Sequence, residues 1–159
     1  MKKVLMVLVA VLTLGTVASA QHAIGVRLGG GQGFGTEISY QHGLGQNRLE
    51  FDLGWHGGDH YNDLNLVGVY QVTGNISGNF GWYAGAGVGL TLVSWNNGHD
   101  GDGSFALGVV GQAGVEYNIQ AVPIQVSLDI RPRLNIINPY GSGLDFHWGD
   151  IALGIRYTF

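Results

Sequence analysis

The chain has 159 residues, a formal net charge of −4, 29 glycines and no cysteine. At this length a single domain is the expectation, and charged residues at 11% against 45% hydrophobic are too few for a disordered solvated chain or a basic nucleic-acid binder. So much glycine argues against a helical bundle, and the absence of cysteine excludes a disulfide framework, a thiolate zinc site, a cysteine nucleophile and a lipid-attachment cysteine.

Residues 1–20 read MKKVLMVLVAVLTLGTVASA: Lys2 and Lys3 form a basic start, Val4 to Leu14 an apolar run, and Ala18-Ser19-Ala20 a small-residue exit. This is the pattern of a secretory signal peptide cleaved after Ala20, and the run is shorter than the ~20 apolar residues a spanning helix needs. The domain is then expected over 21–159, a chain of 139 residues with five basic groups, all arginine, against eleven acidic ones, for a net charge of −6.

From Gln21 onward the period is two. The alternation predicts strands at His22 to Gly30 and Phe34 to His42, then at Asn47 to His56, where Leu49, Phe51, Leu53 and Trp55 share one face and Arg48, Glu50, Asp52, Gly54 and His56 the other. A fourth strand is expected over Tyr61 to Val72. The fifth, Phe80 to Ser94, lies in an apolar stretch, but Gly85, Gly87 and Gly89 fall on one strand face, where a helix would scatter them and lose up to ~1 kcal/mol at each. Ser104 to Asn118 is the sixth. In the seventh, Pro123 to Asn135, Ile124, Val126, Leu128, Ile130, Pro132 and Leu134 oppose Gln125, Ser127, Asp129, Arg131, Arg133 and Asn135. The eighth, Phe146 to Phe159, sets Ile151, Leu153, Ile155, Tyr157 and Phe159 against Ala152, Gly154, Arg156 and Thr158. Turn-formers separate the runs, among them Gly43 to Gln46, Thr73 to Asn79 and Ile119 to Val122 on one side of the predicted sheet.

Alternation alone suits a soluble barrel or a sandwich as well as a membrane barrel. The charges decide between them. Arg27, Arg48, Arg131, Arg133 and Arg156 all sit within strands in phase with the polar face, as do Glu37, Glu50, Asp52, Glu116 and Asp129, and no lysine remains after residue 20. Lysine is common on a water-facing surface, whereas arginine suits fixed multi-donor pairing in a confined interior. The expected fold is therefore an all-β, eight-stranded antiparallel up-and-down transmembrane barrel with a polar lumen filled by these ten residues, a neutralised plug rather than a pore. Aromatic residues are expected in two girdles. Tyr40, Tyr70, Phe80, Trp82, Tyr117, Tyr157 and Phe159 lie near the periplasmic ends, and Phe34, Trp55, Tyr61, Trp95, Phe105, Tyr140, Phe146 and Trp148 near the others, with only Phe51 and Tyr83 outside.

The final segment, GDIALGIRYTF, resembles the C-terminal strand by which Gram-negative outer-membrane proteins are recognised for assembly, with Tyr157 and Phe159 as the implied signal. Together with IGVRLGGGQGFGTEISYQ, NRLEFDLGW, WYAGAGVGL and GVEYNI, it makes the chain resemble the small eight-stranded outer-membrane β-barrel proteins, particularly members from Bacteroidota. The resemblance implies residence in the cell outer membrane, contact with membrane lipids and lipopolysaccharide, and engagement of the barrel assembly machinery through the C-terminal strand. It implies no particular activity, because such barrels include adhesins, envelope-stability proteins and lipid-modifying enzymes.

A structural or surface-interaction role with an unidentified extracellular partner is the leading expectation, with no cofactor, no metal site and no nucleic-acid partner. The alternatives are a lipid A deacylase or acyltransferase, and a narrow channel. For an enzyme the sequence offers only a cross-strand pair, Ser104 with His147, because none of the six histidines precedes a serine at the two-residue spacing that places both on one strand face. The acidic segments His56 to Asp63 and His99 to Ser104 read as solvated turns, and the Asn75-Ile76-Ser77 sequon as coincidence.

Overall fold

The computed structural model describes residues 22–29, 35–57, 61–95, 104–137 and 144–159. Eight strands follow one another: β1 (His22–Gly29), β2 (Gly35–Leu44), β3 (Asn47–Gly57), β4 (Tyr61–Ser77), β5 (Phe80–Trp95), β6 (Ser104–Ile119), β7 (Ile124–Ile137) and β8 (Asp145–Thr158). Each pairs antiparallel with its neighbour in sequence, and β1 pairs with β8 to close the barrel. Closure leaves no open edge along the paired length, so backbone N–H and C=O groups are satisfied within the wall.

The side-chain pattern is that of a membrane barrel, turned inside out relative to a soluble one. Large apolar residues stand on the outer face, including Val26, Ile38, Phe51, Leu66, Val88, Leu128 and Leu153, all exposed, while five of the ten predicted lumenal charges are no more than 3% exposed: Arg27, Glu50, Asp52, Asp129 and Arg156. The interior also holds a small apolar patch, Val67 and Val69 on β4 against Val110 on β6.

Two boundaries differ instructively from the sequence reading. The predicted turn Thr73 to Asn79 is mostly strand, because β4 continues to Ser77 and turns only at Gly78 and Asn79. Gly78 has φ +56°, the left-handed conformation a tight hairpin requires, and Asn75 Nδ2 donates to the Gly78 carbonyl at 2.7 Å. Gly74, read as a turn former, instead leaves room for the Trp82 ring on the facing strand. In the eighth strand the alternation is not continuous. Register shifts between Arg131 and Arg133, which pair with Asp150 and His147, so Trp148 and Gly149 together oppose Pro132. This is a β-bulge, with Gly149 at φ +105°. It moves Phe146 and Trp148 onto the outer face despite their even numbers, while Ile151 to Tyr157 keep theirs on the odd positions. Pro132, lacking an N–H, fits opposite the bulge because no ladder bond is demanded of it there.

Candidate functional site

The lumen is where the chemistry concentrates. Arg27 on β1 lies across from Glu37 on β2 and bridges to it at 3.1 Å, while its other edge takes Asp129 of β7 at 2.7 Å. Arg131 gathers three carboxylates: Glu37 at 2.9 Å, Glu50 at 3.3 Å, and Asp52 in close contact. Arg156 reaches Glu50 at 3.1 Å and donates to Ser39 Oγ at 2.9 Å and Ser127 Oγ at 2.7 Å. Glu50, entirely buried, therefore receives two guanidinium groups, and Gln41 and Gln112 donate to it as well, at 2.6 and 2.9 Å.

A glutamine relay joins this centre to the end of the barrel that carries the turns at Gly45 and Gly78. Gln71 Nε2 donates to Gln112 Oε1 at 2.9 Å, and Arg48 Nε donates to Gln71 Oε1 at 2.5 Å. Arg48 then pairs with Glu116 at 2.7 Å beside an open mouth lined by Gln41, Asn47, Thr73, Asn118 and Gln125. Tyr83 closes the relay, its hydroxyl donating to Asp129 Oδ2 at 2.9 Å and its ring lying 4.6 Å from the Arg48 guanidinium carbon. The network runs unbroken from Glu116 through Glu50 to Asp129, touching β1, β2, β3, β4, β5, β6, β7 and β8. Interior glycines make it fit: a Cβ at Gly54 would stand 3.0 Å from Glu37 Cγ, one at Gly89 3.2 Å from the Arg133 guanidinium carbon, and one at Gly154 3.1 Å from that of Arg156.

The expected pairing of every arginine with a carboxylate fails at one of them. Arg133 points inward but is only partly buried, and it donates to Asn135 Oδ1 at 2.7 Å, Asn65 Oδ1 at 3.0 Å and the Gly89 carbonyl at 3.2 Å. Among the described residues it meets no carboxylate; the acids in phase with it pair with Arg27, Arg48, Arg131 and Arg156. The sequence reading did not single out Ser39, Gln41, Gln71, Gln112 or Ser127 as network members. All of them are in phase with the charged face, which was the available signal. Tyr83, the aromatic outside both girdles, is a lumenal residue at 1% exposure, while Phe51, the other, faces outward in mid-barrel at 49%.

Tyr157 faces outward, and Phe159 lies beside it with ring centroids 6.4 Å apart. The Phe159 amide donates to the His22 carbonyl at 2.9 Å, tying the chain end to β1. Ser104 and His147, the one pair considered for nucleophilic chemistry, are not brought together. Ser104 stands opposite Val93 on the β5 side of β6, whereas His147 lies across β7 and contacts Asp145 Oδ2 at 2.8 Å. The acidic stretches 58–60 and 99–103 lie outside the described residues.

No protein-family model matches the chain, and no curated protein is detectably similar to it. Solved structures are. The chain is similar to outer membrane protein H (OprH) from Pseudomonas aeruginosa, with TM-score 0.67 and 18% identity over 87% of this chain and 99% of that one. It also resembles the N-terminal β-barrel domain of P. aeruginosa OprF, with TM-score 0.64 and 15% identity over 87% and 96%. A third is Ail of Yersinia pestis in complex with the heparin analogue sucrose octasulfate, with TM-score 0.60 and 12% identity over 87% and 96%. The fold is thus that of the small outer-membrane barrels.

Proposed function

We propose that this chain is an integral outer-membrane protein, exported by cleavage after Ala20, whose closed barrel serves the envelope as a structural or surface-contact element, rather than as a pore or a lipid-modifying enzyme. The observation that carries this reading is the unbroken side-chain network across the lumen, which engages the interior charges other than Arg133 with one another. A connected buried network holds its side chains in place and fills the space between them. The aliphatic outer wall supplies the complementary half, a surface suited to acyl chains.

Surface contact by this barrel is not of the polyanion-binding kind suggested by the sucrose octasulfate bound to Ail. Of the seven basic residues, Lys2 and Lys3 fall in the proposed signal peptide and the other five are the inward-pointing arginines. Only Arg133 among these is partly buried rather than buried, and its guanidinium nitrogens are already engaged by Asn135, Asn65 and the Gly89 carbonyl, so among the described residues a sulfated or phosphorylated partner finds no free cation. Contacts with lipopolysaccharide rest instead on its acyl chains against the outer wall, and on aromatic groups such as Trp148, 82% exposed at the outer rim.

Cysteines introduced at Asp59, Asp102 and Ser142, in the connections opposite the short turns, are expected to react with a membrane-impermeant label on intact cells. Protection at all three would contradict the orientation. A lipid A mass profile unchanged by Ser104→Ala or His147→Ala is expected as well, and a changed profile would favour the enzyme.

A further inference from the structure

Outside the lumen, the rim where β1 meets β2 and β8 carries a second cluster. His22 and His42 stand directly opposite one another in the β1–β2 pair. Facing residues of antiparallel strands point to the same side, so the two imidazoles converge, with ring centroids 4.7 Å apart. Metal–nitrogen bonds of about 2.0–2.1 Å place two imidazoles bound side by side on one cation with their ring centres roughly 4–5 Å apart. The pair already has that spacing.

Its surroundings suit a ligand role. The Tyr40 hydroxyl lies 3.5 Å from His22 Nδ1; in the tautomer whose Nδ1–H donates to that oxygen, the ring is held and the Nε2 lone pair is free to ligate a cation. The two rings are half-buried, and His22 borders the open mouth of the barrel, which gives an ion and its waters a way in. Among the described residues no third histidine, cysteine or carboxylate joins them, so the remaining coordination positions fall to water. Neutral imidazole nitrogens completed by water favour late first-row ions, Cu2+ above Ni2+ and Zn2+, over the oxygen-seeking Mg2+ and Ca2+.

We propose that His22 and His42 form a two-histidine site for a late first-row divalent cation. The site spans β1 and β2 beside the closing seam, where the His22 amide and carbonyl bond to Phe159 and Ala23 pairs with Thr158. Because the two histidines meet only when the strands are paired, the cation binds the folded barrel and stabilises it by mass action.

The test uses the tag-free mature chain folded in detergent and titrated with Zn2+ and with Cu2+ at neutral pH. Calorimetry is expected to show saturation at a single equivalent, with a raised unfolding temperature. Electron paramagnetic resonance of the Cu2+ form is expected to show nitrogen coupling from two imidazoles. His22→Ala and His42→Ala should each abolish these signals while retaining heat-modifiable mobility, which reports folding. His147→Ala, at the opposite rim beside Asp145, should leave them unchanged. Absence of saturable binding by the folded parent would overturn the proposal. So would binding that survives His42→Ala but not His22→Ala, since the ion would then sit on the chain terminus alone.

Discussion

At the scale of single residues, the fold depends on charges placed where charge is costly. A guanidinium or carboxylate taken out of water loses several kcal/mol of solvation, and only close partners with additional hydrogen bonds offset that loss. Glu50 illustrates the solution, with Arg131, Arg156, Gln41 and Gln112 all donating to its two oxygens. Lysine, a point charge on a flexible stem, would not span three strands as the planar fork of Arg131 does. Truncating Glu50 to alanine leaves two buried guanidinium groups undercompensated, and a loss of about 3–5 kcal/mol is expected from urea unfolding in lipid vesicles. Among the described residues Glu116 holds only Arg48, and it borders the open mouth, where water can replace it. Glu116→Ala should cost well under half as much. Equal losses at the two sites would show that the network centre is no more important than its edge.

At the scale of strands, alternation made seven of the eight elements legible within a few residues, because a wall that faces lipid on one side and a charged lumen on the other permits no phase error. What escaped was local. Thr73 to Asn79 has the composition of a turn, yet Gly74 serves the Trp82 ring and the chain turns only at Gly78. The bulge at Gly149 was invisible because a one-residue shift changes no composition; Pro132 opposite it was the sole hint. In the lumen, the ten charges could be read from phase, but the glutamines that relay between them could not be ranked above other in-phase polar residues. The His22–His42 pair needed the register, since 20 positions separate the two in sequence.

The closing strand carries a prediction of its own. Phe159 is outward and partly exposed, so its removal deletes a contact of roughly 1–3 kcal/mol, which a completed barrel should withstand. If this end of β8 is the segment the assembly machinery engages, deletion of Phe159 should sharply lower the heat-modifiable protein inserted in cells. Refolding of the purified chain into detergent should remain nearly intact. Equal insertion in cells with and without the residue would leave the membrane assignment to rest on alternation and the lumenal charges.

At the scale of the whole molecule, the arrangement is a wall of eight strands too narrow to leave an empty channel, with side chains from every strand meeting along its axis. The apolar exterior and ionic interior are two consequences of one alternation. The proposed function requires this interior to be closed to ions. In planar-bilayer recording of the purified barrel the network predicts a quiet baseline, with discrete conductance appearing only when Glu50 or Arg131 is truncated to open the relay. Large, stable, stepwise conductance from the unmodified chain would contradict it.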